Sequence, residues 1–147
     1  MHKKLLIDWE KPDIQEETGE YFENQLTKDW LRENGIVFET EQELIEAFSK
    51  GNLETITLRQ LENANNLTMT PSEFDLDLLD SEYRKSFESM ETKLMHEGEI
   101  TLPAPIILYI NNIKTGEISP YYGFAGNRRM NLAFKYGLPL KAWIVRI

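Results

Sequence analysis

The chain has 147 residues, 41 % of them hydrophobic, a formal net charge of −9, no cysteine and two histidines, His2 and His96. That length suffices for one domain with a real core, and the missing thiols exclude disulfides and thiolate metal sites. An acidic chain opposes nonspecific DNA binding, where phosphate neutralisation supplies most of the affinity; with no apolar run of membrane-spanning length and no signal-like leader, a cytoplasmic protein is expected.

Residues 4–9 suit a short first strand, and the polar, acidic stretch 10–19, which contains Pro12, reads as a loop. A helix is expected over residues 21–34, where Phe22, Leu26 and Trp30 recur every four residues as a core-facing stripe. Residues 36–39 read as a strand. Thr40 and Glu43 make a capping box for a helix that turns Leu44, Ile45 and Phe48 to one side and stops near Gly51. Its glutamates, Glu41, Glu43 and Glu46, read as a solvated face, with mimicry of a nucleic-acid surface as the sharper alternative.

Residues 55–58 alternate as a strand. Thr70, Pro71 and Glu73 mark another helix start. The acidic run Asp75, Asp77, Asp80 and Glu82 lacks the glycine and closing glutamate of a calcium loop, so no metal site is expected. Residues 82–97 form a helix with Tyr83, Phe87, Met90 and Leu94 on one stripe and His96 in its last turn, where a protonated imidazole complements the dipole. Pro103 and Pro105 precede an apolar strand at 106–110. The turn-rich 111–116 suits a hairpin loop, and 117–124 returns as its partner strand.

The most informative stretch is 119–147. Tyr121, Tyr122 and Phe124 favour a strand. Gly126 lets the backbone turn, and Asn127 is a good N-cap for a helix over 128–136 that stops at Gly137, with Pro139 just beyond. An apolar strand over 140–147 closes the chain. Arg128 and Arg129 sit where the helix dipole is positive, and two cations there are unfavourable unless an anion lies between them. Glycine, helix N-terminus and arginine together are the equipment of a phosphate site; the plainer alternative is that both arginines are solvated or pair with local carboxylates. Charge distribution favours the anion: residues 1–54 hold six Lys/Arg against fourteen Asp/Glu, 55–97 four against nine, and 98–147 six against two.

The run GFAGNRRMNLAFKYGLPLKAWIV resembles the second conserved box of the ParB N-terminal domain, and GEITLPAPIIL, at 98–108, resembles the box before it. Together they cover about the last 50 residues, and more loosely everything from Thr55 on. The resemblance implies an α+β, ParB/sulfiredoxin-like fold: a mixed small sheet with packed helices and a C-terminal strand-turn-helix-strand. Residues 55–147 would form that domain, with 1–54 as an acidic extension packed on it as one compact unit. In this superfamily the glycine-to-arginine turn holds the phosphates of ATP or CTP, with Mg2+. Gly126, Asn127, Arg128 and Arg129 would bind phosphate, and Gly98 would frame the base or sugar. His96 and Arg59 are weaker candidates for contact, and Glu97 and Glu99 weaker ones for catalysis. Asn127 stands where the ParB box carries an acid, so whether turnover follows binding is left open. Without cysteine, sulfiredoxin chemistry is excluded. The acid and histidines of the kinase-like turn are replaced at Ala125, Asn127 and Arg128. The helix-turn-helix that follows this domain in partition proteins is not expected in a chain ending at Ile147.

Three functions follow. The first is a nucleotide-binding domain serving NTP hydrolysis or phosphotransfer in DNA-related phage or plasmid biology. The second is a non-catalytic regulator whose acidic residues 1–54 bind a basic host or DNA-processing protein. The third is a ParB-like nuclease.

Overall fold

The buried run at 142–145 needs cover on both sides, as in a central strand. In the computed structural model, which describes residues 4–147, it lies in β6 (Leu140–Arg146), inside a four-stranded sheet. The other strands are β2 (Asn52–Ile56), β4 (Ile106–Tyr109) and β5 (Tyr121–Ala125), in the order β2-β6-β4-β5. β6 runs antiparallel to β2 and parallel to β4; β4 and β5 are antiparallel. A second, two-stranded sheet pairs β1 (Leu6–Glu10) in parallel with β3 (Glu99–Pro103). The architecture is α+β, with five α-helices among the described residues.

Strand periodicity divides the core. Leu140, Ala142 and Ile144 face one way with Ile107 and Ile56, against Phe87 and Leu94 of α4 (Ser81–Glu97) and Met130 and Ala133 of α5 (Asn127–Tyr136). Trp143 and Val145 face the other way with Ile106, Leu108 and Tyr122. That side is covered by Leu31 of α2 (Gln25–Glu33), Leu44 and Phe48 of α3 (Glu41–Ser49) and Ile14 of α1 (Ile14–Glu17). The smaller sheet adds Ile7, Trp9, Ile100 and Leu102 to the first cluster, and the Trp9 indole donates to the Pro139 carbonyl at 3.0 Å. No helix among the described residues is long and apolar enough to cross a membrane; His2 lies outside them.

The cap expected at Thr40 forms, and two further caps appear that were not anticipated. The Thr40 hydroxyl accepts the Glu43 amide at 3.2 Å, capping α3. Asp80 caps α4 through the Tyr83 amide, and Gly98, left-handed at φ 78°, ends it.

Several expectations are corrected. Stretch 10–19 is not all loop: after Pro12, Asp13 accepts the Glu16 amide and opens α1. The helix expected over 21–34 is broken. Tyr21–Glu23 is a 3-10 turn, and Asn24 then caps α2 afresh by accepting the Thr27 amide. The restart shifts the phase, so Thr27 and Leu31 are buried and Leu26 is 83 % exposed. Residues 36–39 pair with no strand; Phe38 instead packs edge-on against Tyr21 and Phe48. Thr70 and Glu73 do bond to each other, but they open only the 3-10 turn Pro71–Glu73. The expected strand at 55–58 begins earlier, at Asn52, because it pairs with β6 from Ile144 onward. β3, which alternation in EITLP permits, forms through its parallel pairing with β1.

Candidate functional site

β5 delivers the chain to Gly126, which adopts φ 95° and is itself the N-cap of α5. Its carbonyl accepts the Met130 amide at 3.0 Å. No side chain caps this helix. Asn127, expected as the cap, is instead the first helical residue, and its Oδ1 accepts the backbone N–H of Thr68 at 3.1 Å. The side chain is drawn away by a strap that runs beside β5. In the strap, the Asn65 amide donates to the Tyr121 carbonyl at 2.9 Å and the Gly123 amide to the Asn65 carbonyl at 2.8 Å. Asn66, at φ 58°, donates from Nδ2 to the Gly123 carbonyl. Asparagine tolerates that left-handed backbone better than most residues.

Beside this turn lies a cavity of about 670 Å³. One wall is Gly126, Asn127, Arg128 and Arg129; another is Glu16, Glu17 and Glu20; Tyr21, Tyr83 and Phe124 contribute rings. Three carboxylates and two guanidiniums make its lining mixed in sign rather than uniformly basic.

The two arginines differ. The Arg128 guanidinium lies 4.7 Å from the centre of the Tyr83 ring and joins none of the ion pairs among the described residues. Burial pushes the Tyr83 phenol above its ordinary pKa, opposed in part by the Thr68 hydroxyl and the Arg128 charge. Arg129 Nη2 donates to Glu17 Oε1 at 2.7 Å, across 112 residues of sequence. Arg129 Nε is buried without a partner.

Other expected site residues lie elsewhere. Glu97, Gly98 and Glu99 line a separate cavity with Lys4 and Leu6. His96 lines another with Glu91, Lys135 and Tyr136. Arg59 is exposed in the 3-10 turn Arg59–Leu61 and does not line the cavity at Gly126. Among the described residues, no group of three or more His, Asp or Glu is arranged to hold a metal ion. Arg129 follows the plainer alternative of pairing with a carboxylate, though its partner Glu17 comes from a distant segment; the strap and the role of Tyr83 were not anticipated. Only the Asp13 cap after Pro12 hinted that the acidic stretch is ordered.

No family model, curated protein or solved structure matches the chain.

Proposed function

We propose that the cavity at the start of α5 binds a nucleotide, with its phosphates toward Asn127 and Arg128. The observation that carries this reading is Arg128 itself: a guanidinium over the Tyr83 ring, without a carboxylate partner, at a helix N-terminus that no side chain caps. Guanidinium carries five N–H donors, so contact with Tyr83 leaves others for a phosphate. The volume of 670 Å³ falls in the range of about 300–1,000 Å³ common for small-molecule sites. A nucleotide also suits the mixed lining, since its sugar hydroxyls and base amino groups can donate to Glu16 and Glu20.

The order of β5, the Gly126 turn, α5 and β6 accords with the resemblance to the ParB/sulfiredoxin-like domain, and that fold belongs to the same proposal. Mg2+ commonly rests on substrate phosphates with one or two protein carboxylates, so ATP or CTP would bring the ion with it. Bound there, Mg2+ would neutralise phosphate charge. For hydrolysis or phosphoryl transfer, the carboxylates lining this cavity are better placed as general base than Glu97 and Glu99.

Thermal melts with ATP, CTP and GTP, each with magnesium, test the proposal. A ligand at a hundred times its Kd stabilises the folded state by about 2.7 kcal/mol, and Arg128→Ala should remove the rise. The absence of a shift with any of the three nucleotides overturns it.

A further inference from the structure

We propose that Glu17 is an internal stand-in for the ligand's anionic group, so that the site is closed by its own carboxylate until a phosphoryl group displaces it. This inference rests on the anion-binding reading of the same cavity and adds its regulation and selectivity.

The geometry around Arg129 carries it. The side chain folds back over the turn: a Cβ built on Gly126 would stand 2.8 Å from Arg129 Nη2. The guanidinium therefore lies over the left-handed residue, on the wall where the helix presents its first amides. Glu17 meets it there at 2.7 Å, with the Arg129 and Glu17 side chains 18 % and 19 % exposed. A carboxylate in contact with a cation at a helix N-terminus is what a bound anion would look like.

The contact is incomplete in a way that favours exchange. Guanidinium has five N–H donors, and a good carboxylate pair engages two of them side by side. Here one hydrogen bond forms, and Arg129 Nε is buried without an acceptor. The Glu17 carboxylate has no other hydrogen bond or ion pair among the described residues. It is carried on α1, a single turn of four residues, whose anchors are the buried neighbours Ile14 and Thr18 rather than Glu17 itself.

Selectivity follows. A guest carboxylate would merely exchange like for like at Arg129. A phosphoryl group carries close to two negative charges and three acceptor oxygens. It can take Nη2 from Glu17 and has oxygens left for a second donor of the cavity lining, which includes Arg128. The latch thus passes phosphate monoesters and polyphosphates and rejects simple carboxylates.

The test compares two substitutions that each remove one negative charge from the same cavity wall. Glu17→Gln breaks the contact with Arg129; Glu16→Gln removes an exposed carboxylate that touches no arginine. Binding of inorganic phosphate, AMP and acetate is measured by calorimetry on the full chain. Glu17→Gln should tighten phosphate and AMP binding at least about tenfold beyond Glu16→Gln, the scale of one hydrogen bond to a charged group. It should also admit acetate. In an Arg129→Gln background the effect of Glu17→Gln should vanish.

Equal gains from the two glutamine variants would mean general charge relief and overturn the latch, as would weaker phosphate binding by Glu17→Gln; either result leaves nucleotide binding standing. No phosphate or nucleotide binding by any variant overturns both. Should Glu17→Gln fold poorly, Glu17→Asp, which shortens the reach to Arg129, should show the same direction of change, and its failure to do so also overturns the latch.

Discussion

Gly126 and Pro105 approach so closely that a Cβ at Gly126 would stand 2.7 Å from both Cα and Cβ of Pro105. The glycine is needed twice, for its φ of 95° and for this contact. Gly126→Ala should therefore cost roughly 2–4 kcal/mol, combining left-handed strain with overpacking. The urea midpoint of the purified variant is the measurement, and a loss below ~1 kcal/mol would contradict the packing described.

The bond from the Thr68 amide to Asn127 ties the strap to α5 across 59 residues. Asn127→Ala should accelerate hydrogen exchange at the Thr68 amide and cost about 1 kcal/mol, while α5 stays helical because Gly126 begins it. Asn127→Asp keeps the acceptor and should keep the protection. Unchanged exchange in Asn127→Ala would show that the strap is held elsewhere.

Tyr83 positions Arg128 through its ring face. Tyr83→Phe retains that face and loses only the hydroxyl's interactions with Thr68 and Arg128, so it should bind nucleotide more tightly than a variant without the ring. Tyr83→Leu removes it and should weaken binding about two- to fivefold, the worth of an exposed cation–π contact. Titrations that rank the two variants the other way would remove Tyr83 from the site.

Glu91 receives hydrogen bonds from Lys135 and Tyr136 and so links α4 to α5. Burial alone would raise the Glu91 pKa, but those two bonds and the Lys135 charge bring it below its ordinary value of 4.5. A carboxylate depressed on folding stabilises the protein above its unfolded pKa, and that stability is lost as pH falls through the folded value. Burial, then the bond to Glu91 and its charge, push Tyr136 up to about 12 from 10.0. A group raised on folding contributes fully below the unfolded pKa and is lost as pH climbs through the folded one. Glu91→Gln should flatten the acid limb of stability below pH 4.5, and Tyr136→Phe should flatten the alkaline limb between pH 10.0 and 12. Denaturation midpoints across both windows check this; parallel curves for variant and parent would refute it.

Leu26 and Leu31 test the broken helix. Leu31 is fully buried and Leu26 is 83 % exposed. Leu31→Ala should cost about 2–5 kcal/mol, whereas Leu26→Ala should stay within ~0.5 kcal/mol. Comparable losses at both positions would restore the continuous helix with Leu26 in its apolar stripe.

What the chain declared on its own was set by neighbours a few residues apart. Thr40 reaches Glu43, Gly137 stops α5 at φ 60°, and the buried run of β6 asks for cover on both faces. Each depends on caps, left-handed glycine or strand periodicity, which act within one or two turns of backbone. The same scale misled at 21–34, because spacing by fours cannot show that Asn24 restarts the helix and rotates Leu26 outward.

The site needed the tertiary structure. Gly126, Arg128 and Arg129 were visible as an anion-binding pattern, but the partner of each was not. Pro105, Tyr83 and Glu17 arrive from three different parts of the chain: the loop just before β4, held by the β4–β5 pairing; α4; and α1, packed beside α3. Opposite charges 112 residues apart leave no periodicity to read. Their meeting is fixed by which hydrophobic faces the two sheets bury.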